Sequence, residues 1–302
     1  VSAYPFIAAN QACFSVNRMC RLLNVSRSGF YDWLTRPISE REKADIALTE
    51  KIESIHEESR ATYGAPRVHA MLRRQGINVG KKRVARLMRS QGLTGTFRKR
   101  RGRTTIQVPG IRTAPDLVQR DFFAATEPNK LWVADMTYIR TWEGWLYLAS
   151  VMDTFSRKIV GWSMGNSMEA QLVVDALEMA IARRGPEAGL IHHSDRGAQY
   201  VALIFTASCK EAGIETSMGK KGCAYDNSAA ESFFASLKKD LIHRRSWPTR
   251  EDARRAVFDY IEVFYNRQRL HTSLGDVSPE EFEIIHHNRS EEDRVMSFEI
   301  VR

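Results

Sequence analysis

Leu131-Trp132-Val133-Ala134-Asp135-Met136-Thr137-Tyr138-Ile139 is a short apolar stretch holding one charge. Its β-branched and aromatic content reads as a buried strand. An ionised carboxylate in such a strand is costly unless something cationic meets it. The nearest bases, Lys130 and Arg140, stand at the two strand ends, and a bound metal would serve better. A lone Asp near a strand end is also a common turn or hydrogen-bonding residue. The meaning of Asp135 therefore depends on the rest of the chain.

The 302 residues are 43% hydrophobic and 27% charged, enough to bury cores in two or three domains and to exclude a disordered chain. No apolar run reaches the ~18 residues of a membrane span, and the N-terminus lacks the basic-then-apolar order of a signal peptide. A cytoplasmic location is expected. Cys13, Cys20, Cys209 and Cys223 form no C-x-x-C pair, so they read as reduced thiols and a structural zinc is not expected. The net charge of +9 is unevenly spread. Residues 1–60 are balanced, residues 61–120 hold fifteen bases and one acid, and residues 121–302 carry a net −5. Fourteen uncompensated charges repel one another unless a polyanion screens them, and nucleic acid is the expected polyanion.

From Ser15 to Leu34 apolar residues at helical spacing flank Asn24-Val25-Ser26, a helix-turn-helix pattern that a plain helical hairpin would also produce. Residues 39–60 read as a charged scaffold helix with Ile46, Leu48, Ile52 and Ile55 inward, to which no contact is assigned. Pro66 suits the first turn of a helix carrying Val68, Met71 and Leu72, and Lys81 to Gln91 forms a second helix. With Val84, Leu87 and Met88 inward, Lys81, Lys82, Arg83, Arg86 and Arg89 are left near open faces. They suit a major groove flanked by phosphates, although a solvated basic helix would look the same. Thr94 to Lys130 is linker-like, and its run Arg98-Lys99-Arg100-Arg101 is expected to track a DNA backbone.

Strands are expected at 131–140, 145–153 and 158–164, the first two joined at Glu143-Gly144 as a hairpin. A helix at 169–184 and a strand from Leu190 to Asp195 follow, the order of a mixed sheet with helices packed on it. Asp195 ends that strand, where α/β sheets place ligands. His192 and His193 point to opposite faces and cannot share one metal, and His193 either orients something in the site or is a satisfied strand histidine. Glu231 lies in a helix whose buried stripe is Ala230, Phe234, Leu237 and Leu241, with Lys238 beside it two turns on. Ser228-x-x-Glu231 also fits a capping box, in which the Glu would do no chemistry. Asp153 and Asp226 read as structural turn and helix-start residues. A helix from Thr249 to Arg269 turns Val257, Tyr260, Ile261 and Phe264 inward, and the segment from Tyr265-Asn266 to His271 has no physical account at this level.

Asp135, 59 residues, Asp195, 35 residues and Glu231, with Lys238 seven beyond, resembles the acidic triad of retroviral integrases and related insertion-sequence transposases. Five ordered motifs bring the chain closest to the second-reading-frame product of the copy-out, paste-in transposases. They are Trp132-Val133-Ala134-Asp135-Met136-Thr137-Tyr138, Asp153-x-x-Ser156-Arg157-Lys158-Ile159-Val160-Gly161-Trp162, His193-Ser194-Asp195-Arg196-Gly197-x-Gln199-Tyr200, Asp226-Asn227-x-x-x-Glu231-Ser232-Phe233-Phe234, and Tyr265-Asn266-x-x-Arg269-x-His271-x-x-Leu274-Gly275-x-x-x-Pro279. The resemblance spans about residues 12–285. Unlike the integrases, the chain shows no His-His-Cys-Cys zinc module and no room after residue 285 for a further DNA-binding barrel, which favours the bacterial branch.

The resemblance implies an α/β, RNase H-like mixed five-stranded sheet with flanking helices, preceded by an all-α helix-turn-helix DNA-binding region. The expected divisions are a helix-turn-helix at 1–38, a second such domain at 39–95, a basic linker at 96–128, the catalytic core at 129–245, C-terminal helices packed on it at 246–290, and a tail at 291–302. It implies a DNA transposase that cleaves the element's ends and transfers the resulting 3′-hydroxyl to a phosphodiester. Two Mg²⁺ ions, for which Mn²⁺ would substitute, would be held by Asp135 as the shared ligand, Asp195 and Glu231. Lys238 would hold a terminal phosphate. The implied partners are the element's terminal inverted repeats, target DNA and further copies of the chain, at the bacterial nucleoid. Relatives are often frameshift fusions, so an upstream reading-frame product, fused or associated, is a further expected partner of a chain that begins at Val1. A catalytically inactive end-binding repressor is the alternative.

Overall fold

The computed structural model describes residues 3–96, 114–118, 125–195, 197–219 and 228–300. Arg98, Lys99, Arg100, Arg101, Arg196, Cys223 and Asp226 lie outside them. Helices α1 (Ala3–Asn10), α2 (Val16–Leu22) and α3 (Arg27–Thr35) close around a small core of Ile7, Met19, Cys20 and Phe30. Helix α1 was not expected. Leu22 is 75% exposed, so only part of the helical spacing in this region encodes burial. Helices α4 (Glu40–Glu58), α5 (Ala65–Arg74) and α6 (Lys81–Ser90) pack Leu48, Ile52, Ile55, Val68, Leu72, Val84, Leu87 and Met88 together. Ile46, expected inward, is 50% exposed.

The sheet is β1 (Leu131–Thr141), β2 (Gly144–Asp153), β3 (Ile159–Gly165), β4 (Ile191–Ser194) and β5 (Glu215–Met218), in the order β3-β2-β1-β4-β5. β1 to β3 form an antiparallel meander, whereas β4 runs parallel to β1, and β5 to β4. A two-residue turn at Trp142-Glu143 joins the hairpin, with Gly144 at φ +111°, a conformation that excludes most side chains. β4 ends one residue before Asp195, which lies in the loop and not in the strand.

Alternation along β1 sends Trp132 and Ala134 toward α7 (Ala170–Arg184) and α8 (Leu203–Glu211). It sends Val133 and Ile139 toward α9 (Ser228–Asp240), α10 (Arg250–Asp259) and a π-helical turn at Tyr260–Tyr265. The expected helix from Thr249 to Arg269 is thus interrupted by a wider turn, with Val257, Tyr260, Ile261 and Phe264 all buried as expected. Gly161 lets α7 lie close on β3, because a Cβ there would run into the Ala176 carbonyl oxygen and Ala180. Helix α11 (Pro279–Ile300) continues through the segment read as a tail.

The helices α4 to α6 share one apolar cluster with the α9 face of the sheet. Polar bonds join the same surfaces: the Tyr63 hydroxyl accepts from Leu270 N (2.7 Å), and Thr96 donates to Asp240 (2.8 Å). Asp240 is fully buried and also meets Arg269 Nε at 3.1 Å and the Tyr260 hydroxyl at 3.2 Å.

Candidate active site

Asp135 stands at the point on β1 where β4 stops pairing, since that register covers only Leu131 to Ala134. One carboxylate oxygen accepts from Met136 N (2.8 Å). Burial first, and then the charge of Asp195, push its carboxyl from the ordinary range up to about 7. Asp195 is exposed just beyond β4 and accepts from Gly197 N (3.0 Å), which orients it. The surrounding protein raises its carboxyl too. Glu231, on the exposed side of the first turn of α9, adds a third negative charge felt at Asp135. Lys238, half-buried two turns on, is the compensating cation: burial lowers its ammonium while Asp135 supports it. The charges of Asp195, Glu231 and Lys238 are thus all felt at Asp135.

The donor set is oxygen-only, which fits Mg²⁺, and the Asp135 carboxyl is raised first by burial and then by the neighbouring acids. Among the described residues no three metal-ligating side chains are gathered around one point. Mg²⁺ keeps several waters and needs few protein ligands. Ser228's side chain lies outside the described residues, so the capping box is left aside.

Asp153 is structural, as expected. It is fully buried and accepts from Asn129 N (2.8 Å) and Phe155 N (3.0 Å), with Arg184 at 3.5 Å. The ring of His193 meets Ser217 Oγ at 2.9 Å, a satisfied strand histidine.

Residues 125–224 and 231–286 match two family models described as "Integrase core domain", and residues 42–101 match "HTH-like domain". The chain is 43% identical over 282 residues to "Transposase InsF for insertion sequence IS3A" of Escherichia coli (strain K12), covering 93% of this chain and 98% of the relative. The chain belongs to the IS3 family of transposases. The transposase is also 41% identical to "Insertion element IS600 uncharacterized 31 kDa protein" of Shigella sonnei, over 89% of this chain and 98% of that one. Among solved structures it resembles the HTLV-2 integrase catalytic core domain in complex with magnesium (18% identity, TM-score 0.41, 52% of this chain and 98% of that chain).

Sequence reasoning missed one feature of the transposase's site. Tyr200 is buried, its hydroxyl has no hydrogen-bond partner among the described residues, and the charges of Asp135 and Asp195 add to burial in raising its pKa. The motif around Asp195 contains Tyr200, but only the fold brings the phenol within reach of the charges of both Asp135 and Asp195. On the basic helix α6, Lys81, Lys82 and Arg89 are exposed as expected. Arg86 is exposed as well and Arg83 is half-buried, but both are engaged by Asp45 of α4 (2.7 Å for Arg83, 2.5 Å for Arg86), the helix to which the sequence assigns no contact. The match to a helix-turn-helix-like family implies DNA binding by this region. Among the described residues no helix is long and apolar enough to cross a membrane.

Proposed function

We propose that this transposase nicks the DNA at its element's ends and joins the freed 3′-hydroxyl to a target phosphodiester. In the first step a water oxygen attacks the end phosphorus in line, the P–O3′ bond breaks, and the departing oxygen takes a proton to become the 3′-hydroxyl. In the second, that hydroxyl attacks a target phosphorus and displaces another 3′-oxygen. The observation that carries this is the electrostatic grouping of Asp135, Asp195, Glu231 and Lys238 at the open edge of β1, in a chain of this family.

Asp135 would be the carboxylate shared by two Mg²⁺ ions, Asp195 a ligand of one and Glu231 of the other, with Mn²⁺ able to replace them. When bound, the ions supply nucleophile activation and stabilisation of the leaving oxygen. The protein's own part would be to gather the carboxylates around the phosphate and to seat a terminal phosphate on Lys238. The HTH-like helices and the run Arg98 to Arg101 would engage the terminal repeats and backbone, with Lys81, Lys82, Arg83, Arg86 and Arg89 as the candidate contacts. Bringing two ends together calls for more than one copy, and an upstream reading-frame product would complete the complex in the bacterial cytoplasm, at the nucleoid.

The test is a Mg²⁺-dependent assay on labelled duplexes copied from the DNA flanking the gene, native chain against Glu231→Gln. The expected result is nicked and joined products from the native chain, reduced at least about a hundredfold in the variant with DNA binding retained. Binding with neither product from the native chain, alone or with its upstream product, would replace this reading with that of an inactive end-binding repressor.

A further inference from the structure

Beside the carboxylates the β1–β2 hairpin leaves large aromatic rings in water. Tyr138, Trp142 and Trp145 are exposed at 54%, 77% and 43%. Tyr138 and Trp145 are diagonal neighbours on one face, since Tyr138 pairs with Tyr147 and Arg140 with Trp145. Their rings meet edge to face at 5.0 Å and 79°. Lys238 Nζ lies 5.7 Å from the centre of the Tyr138 ring, so one ammonium serves both the aromatic pair and Asp135. Arg140 is exposed on the same face as Tyr138.

The platform is braced and open. Trp142 N donates to Trp247 O (3.0 Å), Arg250 N to Glu143 (2.8 Å) and Arg250 Nε to Trp145 O (3.0 Å), which ties the hairpin to the start of α10. β4 stops pairing at Ala134, and among the described residues no other strand pairs with that side of β1 from Asp135 onward. Tyr138 lies about 10 Å along β1 from Asp135 and, three residues on, points to the other face of the strand, and Lys238 is the group that reaches its ring from the helix bearing Glu231.

We infer that Tyr138 and Trp145, with Lys238 and Arg140, form a stacking platform for an unpaired base of the DNA strand running through the catalytic cleft, an inference that rests on the transposition reading. Rigid rings beside cations are how proteins hold single-stranded DNA without reading its sequence. A second protein surface is a poorer occupant, because Lys238 and Arg140 would have to enter the middle of the contact, where charged groups are depleted. The platform would keep the end of the duplex frayed, so that the strand to be cut reaches the carboxylates.

The experiment compares the full native chain with Tyr138→Leu, Trp145→Leu, and the ring-preserving Tyr138→Phe and Trp145→Phe. The probes are flanking-DNA duplexes with either a paired or a short unpaired 3′ end, the latter carrying 5-iododeoxyuridine. The expected result is tighter binding of the unpaired end, a photocross-link mapping to residue 138 or 145, and loss of at least about fivefold of that preference in the Leu variants alone. Thermal melts confirm that the variants are folded. Equal affinity for both ends, or cross-links elsewhere, would overturn the platform. So would Leu variants that keep the preference but change the sedimenting assembly, which would make the face a contact between copies. None of these readouts needs turnover, so absence of joining by the native chain would count against the transposition reading and not against the platform.

Discussion

His192 shows how one residue can be explained by its surroundings and not by its neighbours in sequence. Its ring is buried between Tyr200 and Phe205, neither ring nitrogen has a hydrogen-bond partner among the described residues, and burial holds its pKa at about 4, below the ordinary 6.5. The unfolded chain therefore binds a proton that the folded chain refuses between these two values. Stability contributed by the neutral ring is present above pH 6.5 and is lost as pH falls through about 4, on the order of 3 kcal/mol in all. Urea titrations across that window should show a steep loss in the native chain and a flatter one in His192→Leu. Parallel curves would mean that the ring is protonated in the folded state. Asp135 stands in the opposite relation to its surroundings, its charged form disfavoured by burial and by Asp195, which is the condition a divalent cation relieves.

At the scale of elements, the segment after the π-helical turn gains the physical account the sequence lacked. Asn266 receives Ile159 N at its side-chain oxygen (2.9 Å) and donates to Ile159 O (3.0 Å), so it acts as a strand partner at the start of β3. Arg269 closes on Asp240 at the end of α9, and the His271 ring packs edge-on against Tyr265 at 4.9 Å. Arg157 reaches Ser232 Oγ at 3.1 Å. The motif thus anchors the helix that carries Glu231 and Lys238. Asp240→Ala should cost about 3–5 kcal/mol in chemical denaturation, because it leaves Arg269 buried without its partner. The double replacement Asp240→Leu with Arg269→Met should recover much of that loss. A single variant costing under about 1 kcal/mol would show that water replaces the carboxylate.

For the whole molecule, the charge excess of residues 61–120 is partly consumed within the fold, since Asp45 binds Arg83 and Arg86 and holds its own carboxyl below the ordinary range. Free phosphate contacts should therefore come from Lys81, Lys82 and Arg89. Lys82→Ala should lower the slope of log affinity against log salt by about one, Arg83→Ala by less, and Asp45→Asn should steepen it by releasing two guanidinium groups. Equal slopes for the Lys82 and Arg83 variants would show that DNA displaces Asp45. The helices bearing these charges share a core with the face of the sheet that receives α9, and Thr96 touches the same Asp240 that holds Arg269. DNA-binding and catalytic elements are thus packed as one body around α9.

The sequence by itself determined the strands at β1 to β3 and the inward stripe of α6, and it singled out the three acids and the lysine as candidates. These are local facts, carried by periods of two and 3.6 residues and by the rarity of a carboxylate in an apolar strand. β5, α1 and the π-helical turn escaped because their patterns are short or are overridden by packing. Only the tertiary structure decided the sheet order, the seating of the N-terminal helices on the α9 face, and the pairs Asp45 with Arg83, Asn266 with Ile159 and Thr96 with Asp240. Periodicity tells a side chain whether to be buried, but a hydrogen bond across 107 or 144 residues depends on which surfaces meet. That choice is made by the shape and area of whole packed faces, which no local window of sequence contains.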